Sequence, residues 1–276
     1  MGSNIVLHCG AKPVTRQQLA SVACPPGTDT WKPVPHATVL DLVGGMLELS
    51  GFRIASEQLG LTRDENRFFG TLDLQNELAP GVTLSVGVRN STDMSLPLGF
   101  CAGNRVMVCD NLAFSSELIV KRKHTKNGET RFREAISLAV GNLTQFQVAE
   151  TRRIQLLQDQ RLGRYEGEAF LLAAFEKGIL SARTLPKAIG QYRNPSYDWG
   201  SRDTAWFLFN AITTVLQPRA QSNPQAFALT TMQLVSLFFP ADEIGLDAPP
   251  DIELSPEQYE VTVYEEDEPP DPTEWL

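Results

Sequence analysis

Histidine and cysteine are scarce in this 276-residue chain, and no long apolar segment interrupts it. Three histidines and four cysteines occur, and no two cysteines form a Cys-x-x-Cys pair. This spacing lacks the common zinc-binding patterns, so we predict no bound metal and no cofactor. No apolar run approaches the roughly 18 residues of a membrane-spanning helix, so we also expect no membrane partner.

The first residues lack the features of a secretion signal, since no basic segment is followed by a long apolar one. Because cysteine is also sparse, we expect a reducing environment and a cytoplasmic location. The composition, with 42% hydrophobic and 21% charged residues, is that of an ordinary globular protein. The length suffices for a domain whose core needs no disulfides.

No lysine or arginine follows Arg219, and this absence reveals a charge asymmetry behind the net charge of −9. Residues 241–276 hold 13 of the 33 acidic residues. Residues 1–240 keep the other 20 acids and all 24 bases, which gives them a net charge of +4. Opposite charge in two parts of a chain is typical of a protein that binds nucleic acid or another partner and carries an acidic tail.

The basic charge concentrates between residues 121 and 164, a segment that contains ten basic and four acidic residues. One interpretation is a solvated hairpin and the outer face of a helix. The other is a surface that contacts the phosphates of a nucleic acid. The residues expected on that surface are Lys121, Arg122, Lys123, Lys126, Arg131, Arg133, Arg152 and Arg153.

The order of the hydrophobic patterns predicts the α+β class, with a curved antiparallel β-meander followed by a helical C-terminal half and a disordered acidic tail. Alternation indicates five or six strands over about residues 51–125, and Asn127-Gly128 is a turn signal that would return the last strand. Helical periodicity covers about residues 130–240, with a bend at Gly141. The predicted parts are an N-terminal arm with a short helix over 13–22 (residues 1–35), one α+β domain (36–240) and an acidic, proline-rich tail (241–276).

Polar side chains are densest between two predicted strands, from residue 88 to residue 112. Asn90, Ser91, Asp93 and Ser95 can close local Asx- and Ser-turns, which is a structural use. The same groups, together with an arginine, can instead form a binding site on a loop held by rigid strands. The sequence leaves both interpretations open.

The order Asn-Ser-x-Asp-x-Ser, then Gly-x-Arg-Val-x-Val-Cys-x-Asn-Leu, resembles a family of plasmid and prophage proteins called domain of unknown function 932. A second block, residues 204–213, resembles the helical segment of that family that ends in Asn-Ala-x-Thr. The resemblance implies work on mobile genetic elements and implies no catalytic residue. Many members have histidine where this chain has Thr92, so we expect no mechanism that needs that imidazole. The candidate residues of the motif are Arg89, Asn90, Ser91, Asp93, Ser95, Gly103, Asn104, Arg105, Cys109 and Asn111.

The sequence offers no catalytic constellation, so we lean towards a protein that is not an enzyme. Cys109 has Asp110 beside it, but neighbouring residues of a strand point to opposite faces. A metal-dependent nuclease built on Asp93 and Asp110, joined by Asp73 or Glu77, ranks third among the functions considered.

Two binding functions rank higher. The first is binding of DNA, single-stranded rather than duplex, in recombination, replication or the maintenance of a plasmid or phage. The acidic tail would then regulate binding, or would offer Trp275 and Leu276 to a partner. The alternative is a protein-binding antagonist of a host defence system, whose acidic tail mimics nucleic-acid charge. An oligomer is compatible with either function.

Overall fold

The computed structural model describes residues 11–106, 111–222 and 224–239, and it describes only the main chain of residues 111–119, 218–222, 224–229 and 232. All of these residues belong to one compact unit, residues 1–245. The strands are β1 (Lys12–Pro13), β2 (Ile54–Leu61), β3 (Arg67–Ala79), β4 (Val82–Ser91), β5 (Leu98–Val106) and β6 (Asn111–Arg122). The helices are α1 (Arg16–Ala20), α2 (His36–Leu49), α3 (Gly128–Gly141), α4 (Leu143–Asp159), α5 (Arg164–Glu176), α6 (Leu185–Arg193), α7 (Ala205–Ser222) and α8 (Pro224–Phe238).

The strands form one antiparallel sheet in the order β1-β2-β3-β4-β5-β6, so the predicted meander and the α+β class are confirmed. Each strand pairs with its neighbour in sequence; short connections favour antiparallel hairpins such as β3–β4, whereas α1 and α2 lie between β1 and β2. The register aligns Phe69, Arg89, Gly99 and Lys121 in one row across β3, β4, β5 and β6. Rows of this kind determine which distant residues meet.

One face of the sheet carries the hydrophobic core. Alternate positions of β3, β4 and β5, such as Leu72, Leu84 and Phe100, are buried there and join a single cluster with residues of the helices. Phe132 of α3 and Phe207 of α7 are among the fully buried side chains of that cluster. Burial of each such side chain contributes about 1.5–3 kcal/mol, so this face accounts for much of the stability.

The opposite face has a different composition, because small residues occupy its centre. Gly87, Gly99 and Gly103 lie at its alternate positions on β4 and β5, and Ser85 is fully buried beside them. On β4 and β5, the long side chains of this face are those of Arg89 and Arg105. We call it the glycine face.

The predicted return of β6 through Asn127-Gly128 is wrong, because Gly128 begins α3 instead of a hairpin turn. The Gly128 amide donates to the Thr125 carbonyl oxygen over 2.8 Å, and a Cβ at this position would lie 2.5 Å from the Lys123 carbonyl oxygen. The glycine therefore permits a tight turn from strand into helix. The bend expected at Gly141 is a break between two helices, since α3 ends there and α4 begins at Leu143.

Two predicted boundaries also differ from the structure. The opening helix, expected over 13–22, covers only Arg16–Ala20, because Lys12–Pro13 pair with β2. Its predicted capping box of Thr15 and Gln18 is confirmed. The strand expected over 105–109 belongs to β5, which starts at Leu98, and residues 107–110 lie outside the described part. No helix among the described residues is long and apolar enough to cross a membrane.

Candidate functional site

Asn90 links the end of β4 to the segment that precedes α2. Its side chain is fully buried, and its Nδ2 donates both to the Val34 carbonyl oxygen (2.8 Å) and to His36 Nδ1 (2.9 Å). His36 Nε2 lies 3.0 Å from the Glu65 carbonyl oxygen. Because a carbonyl oxygen can only accept, Nε2 carries the ring hydrogen and Nδ1 is the acceptor for Asn90. His36 is therefore neutral in this arrangement.

The next residues of the motif close a compact turn. Ser91 Oγ donates to the Leu96 carbonyl oxygen and accepts from the Leu96 amide, over 3.0 and 2.9 Å. Asp93 accepts from the Ser95 amide and hydroxyl, and Arg67 Nε donates to its other oxygen over 3.0 Å. Partial burial acts to raise the pKa of Asp93, but the hydrogen bonds outweigh it and lower the pKa to about 2. The carboxylate is thus ionised and occupied, as the structural interpretation of the motif requires.

A second histidine, His124, is buried close to His36 at this joint. Its ring lies beside backbone groups of Lys32 and Leu96, yet neither ring nitrogen reaches hydrogen-bonding geometry within the described chain. Burial lowers the pKa of both histidines below the ordinary value of 6.5. Sequence reasoning missed this pairing, because His36 and His124 are separated by most of the sheet. Their shared scarcity in the sequence was the only available signal.

The second half of the motif lies elsewhere. Arg105 is buried on the glycine face, where its Nε lies 3.2 Å from Asp73 Oδ1 and its Nη2 donates to Thr71 Oγ1 over 3.0 Å. Ser85 and Ser56 donate to the two oxygens of Asp73 over 2.6 and 2.7 Å. This network lies within the sheet, about 20 Å along the strands from Asn90. The convergent site that the sequence left open does not form from both halves.

Asn104 points to the helical side of the sheet. It donates to Glu150 of α4 over 2.6 Å, and the same carboxylate bonds Arg153. Asn104 and Glu150 are buried, so this contact attaches α4 to β5. Arg153, expected among the phosphate-binding residues, is instead held against the carboxylate and is mostly buried.

The carboxylates considered for a nuclease do not meet. Asp93 is held by Arg67 beyond the end of β4, Asp73 lies within the sheet, and Glu77 accepts from the Gly81 amide in the β3–β4 turn. Across the residues that the structure describes, no three acidic, histidine or cysteine side chains are placed to hold a metal ion. Asp110 lies outside the described residues.

Several arginines of the helical half form ion pairs with carboxylates. Arg133 pairs with Glu129 (3.7 Å), and Arg153 pairs with Glu150. The further pairs are Arg161 with Asp203 (2.7 Å) and Arg164 with Glu168 (3.4 Å). These ion pairs leave Arg131 of α3 and Arg152 of α4 as the arginines of those two helices without a carboxylate partner in the described chain.

Five bases gather where β6 ends and α3 begins, and we call this region the basic corner: Lys121, Arg122, Lys123, Lys126 and Arg131. Within the described chain, Lys121, Arg122 and Arg131 form no ion pair. Burial lowers the pKa of Arg122, and the positive charge of Arg131 lowers it further. Burial likewise lowers the pKa of Lys121, aided by Arg89. Cations that repel one another in this way favour an anionic ligand.

The sequence matches the family described as Domain of unknown function (DUF932) over residues 27–235. The chain belongs to this family. The match covers most of the chain, including Asn90 with its partners Val34 and His36 and all residues of the basic corner. No curated protein matches this DUF932 chain, and no solved structure matches it.

The second block of the DUF932 motif serves the core. Thr204 Oγ1 accepts from the Phe207 amide over 3.2 Å at the start of α7, which is an N-terminal capping contact. Asn210 and Thr213 are buried, and their side chains donate to backbone carbonyls of the preceding turn over 2.9 and 3.0 Å. These polar residues are therefore explained by the packing of α7.

Some predicted residues cannot be placed. Cys109, the side chain of Asn111, Trp275 and Leu276 lie outside the described residues. Among the others, Arg152 is exposed on α4, and Gly103 lies on the glycine face. Arg89 is half-buried there, and sequence reasoning did not connect it with the basic segment. Cys101 is half-buried on the same face, and burial raises the pKa of its thiol to about 12.

Proposed function

We propose that this DUF932 protein binds single-stranded DNA through the basic corner. The proposal rests on the distribution of ion pairs. On α3 and α4, Arg133 and Arg153 have carboxylate partners, whereas Arg122 and Arg131 approach each other and form no ion pair within the described chain. A phosphate backbone placed between two such cations relieves their repulsion and releases counterions.

The geometry favours a flexible strand over a duplex. The turn from residue 123 to residue 127 is compact, with the Thr125 amide donating to the Lys123 carbonyl oxygen over 3.0 Å. The corner therefore presents a short cluster of cations rather than a long helix that could enter a major groove. Contacts of this kind hold phosphates without reading sequence, so we expect little sequence preference.

The test is fluorescence anisotropy with a labelled oligothymidine and the full chain at several salt concentrations. We expect Arg122→Gln/Arg131→Gln to bind about tenfold more weakly at low salt, and the salt slope to fall by about 1.4, because each phosphate contact to a single strand contributes about 0.7. The matched control is Arg183→Gln/Arg202→Gln, which removes two exposed arginines without ion pairs in the described structure.

Equal binding by the two double variants would contradict the proposal, since net charge alone would then explain the affinity. Absence of binding by the wild-type chain at low salt would also contradict it. Duplex DNA of the same length serves as the second ligand, and it should bind more weakly than the single strand.

A further inference from the structure

Arg89 and Lys121 face each other across a glycine. The sheet register aligns Arg89 of β4 with Gly99 of β5, and Gly99 with Lys121 of β6. The side chains in this row all point to the glycine face, because residues paired across antiparallel strands share a side of the sheet. Gly99 carries no side chain, so both cations can reach over the strand between them.

The Arg89 side chain lies on that glycine. A Cβ added at Gly99 would lie 2.7 Å from Arg89 Cγ and 2.8 Å from Arg89 Nε. The next row also has small residues, since Gly87 pairs with Cys101 there. The absent Cβ at Gly99 thus gives the guanidinium its position above the backbone of β5.

The Lys121 ammonium is held in this place at an electrostatic cost. Its side chain is half-buried, and it forms no ion pair within the part of the chain that the structure describes. Burial lowers the pKa of Lys121, and the charge of Arg89 acts in the same direction. A half-buried ammonium beside a guanidinium is stabilised by an anion that has several acceptor oxygens. Phosphate is such an anion, and two of its oxygens can accept from the planar guanidinium of an arginine.

We propose that Arg89 and Lys121, with Gly99 as the floor between them, form a phosphate site on the glycine face. The inference rests on the proposed function in one respect, since a DNA strand bound at the basic corner would supply the phosphate. Lys121 and Arg122 are neighbours in β6 and point to opposite faces, so a strand passing the end of β6 contacts both. A small phosphate-bearing molecule is the other source of the same chemistry.

The first experiment tests the site without DNA. The Tm of the full chain is measured with inorganic phosphate and with sodium chloride at equal ionic strength. We expect phosphate to raise the Tm by about 2 °C above chloride, and Arg89→Gln and Lys121→Gln each to abolish this difference. Arg183→Gln, the charge-matched control, should keep it. An equal response of wild type and Lys121→Gln to phosphate would overturn the inference.

Gly99→Ala separates geometry from charge. The variant keeps both cations but displaces Arg89, so the phosphate effect should weaken by more than half while the Tm in chloride stays within a few degrees of wild type. An unchanged phosphate effect in Gly99→Ala would show that the glycine is no part of the site, and would count against it.

The oligothymidine assay then identifies the source of the phosphate. We expect Arg89→Gln and Lys121→Gln to weaken binding about three- to tenfold each, as the loss of one phosphate contact predicts. If wild type responds to phosphate but binds no DNA, the proposed function fails and the phosphate site stands for a smaller ligand. If DNA binding depends on Arg122 and Arg131 but not on Arg89 or Lys121, the proposed function stands and this inference fails.

Discussion

Asn90 illustrates how a polar motif can be structural although its pattern resembles a site. Its amide group has two hydrogens, and both are donated, one to the arm before α2 and one to His36. A carboxylate of the same shape has no hydrogen to donate, and alanine would leave two buried acceptors unsatisfied, at about 1–3 kcal/mol each. The asparagine therefore joins two segments that are far apart in the sequence, the end of β4 and the start of α2.

The two buried histidines predict a stability that depends on pH. Their pKa values are lowered on folding, so the unfolded chain binds protons near pH 6.5 while the folded chain does not. The histidines should therefore not reduce the free energy of unfolding above about pH 7. As the pH drops towards 5, this free energy should fall by at most about 1.4 kcal/mol per pH unit for each histidine. Asp93, with its pKa of about 2, titrates below this window.

His124→Leu is the variant that checks this origin by urea unfolding at several pH values. We expect about half of the pH dependence between pH 7 and 5 to disappear. Stability above pH 7 should change by less than about 1.5 kcal/mol, because the ring makes no hydrogen bond in the described chain and leucine has a similar volume. A wild-type profile that is flat over this range, or one that His124→Leu leaves unaltered, would refute the assignment.

At the scale of elements, local patterns predict strands and helices but not the contacts between them. The alternation of Val82, Leu84, Val86 and Val88 reflects one buried face, so β4 could be predicted from sequence. The pairing of Asp73 with Arg105 could not, because it depends on the register of three strands. The meeting of His36 with Asn90 depends likewise on how α2 packs on the sheet.

Asn127-Gly128 shows why a strong local signal can fail. The dipeptide does form a turn, but the tertiary contact of Gly128 with the Lys123 carbonyl directs the chain into a helix. Sequence gives the conformational freedom of a glycine and not the atoms that surround it. The location of the basic corner, where β6 ends and α3 begins, follows from this turn.

Two glycines of α3 provide a matched pair of variants. Gly128→Ala should cost about 1–3 kcal/mol, since its Cβ would lie 2.5 Å from a backbone oxygen that cannot move alone. Gly141→Ala should be neutral or stabilising by about 0.5 kcal/mol, because no heavy atom beyond the nearby backbone of its own helix lies within 4 Å of its Cβ. Chemical denaturation measures both. Equal effects of the two substitutions would show that helix propensity, rather than this contact, governs the glycine at 128.

At the scale of the molecule, the net charge of −9 conceals a body of net charge +4. The body itself is not uniformly basic, because Arg133 of α3, Arg153 of α4 and Arg164 of α5 are paired with acids. The basic corner at the end of β6 holds a local excess of positive charge, and Arg89 of β4 lies close to Lys121 there. The local cations attract a polyanion, whereas the 13 acids of residues 241–276 repel it, so the long-range force depends on the balance of the two.

Removal of residues 241–276 should strengthen binding to single-stranded DNA, because the net charge changes from −9 to +4. We expect a gain of about tenfold at low salt that shrinks as the ionic strength rises, since screening reduces the repulsion between the acidic residues and the phosphates. Circular dichroism and the Tm establish that the shortened chain keeps its fold. A full-length variant in which Glu265, Glu266, Asp267 and Glu268 become amides should shift affinity in the same direction, by less. If the shortened, folded chain binds no oligothymidine at low salt, charge repulsion is not what limits binding, and the basic corner is not a DNA-binding surface.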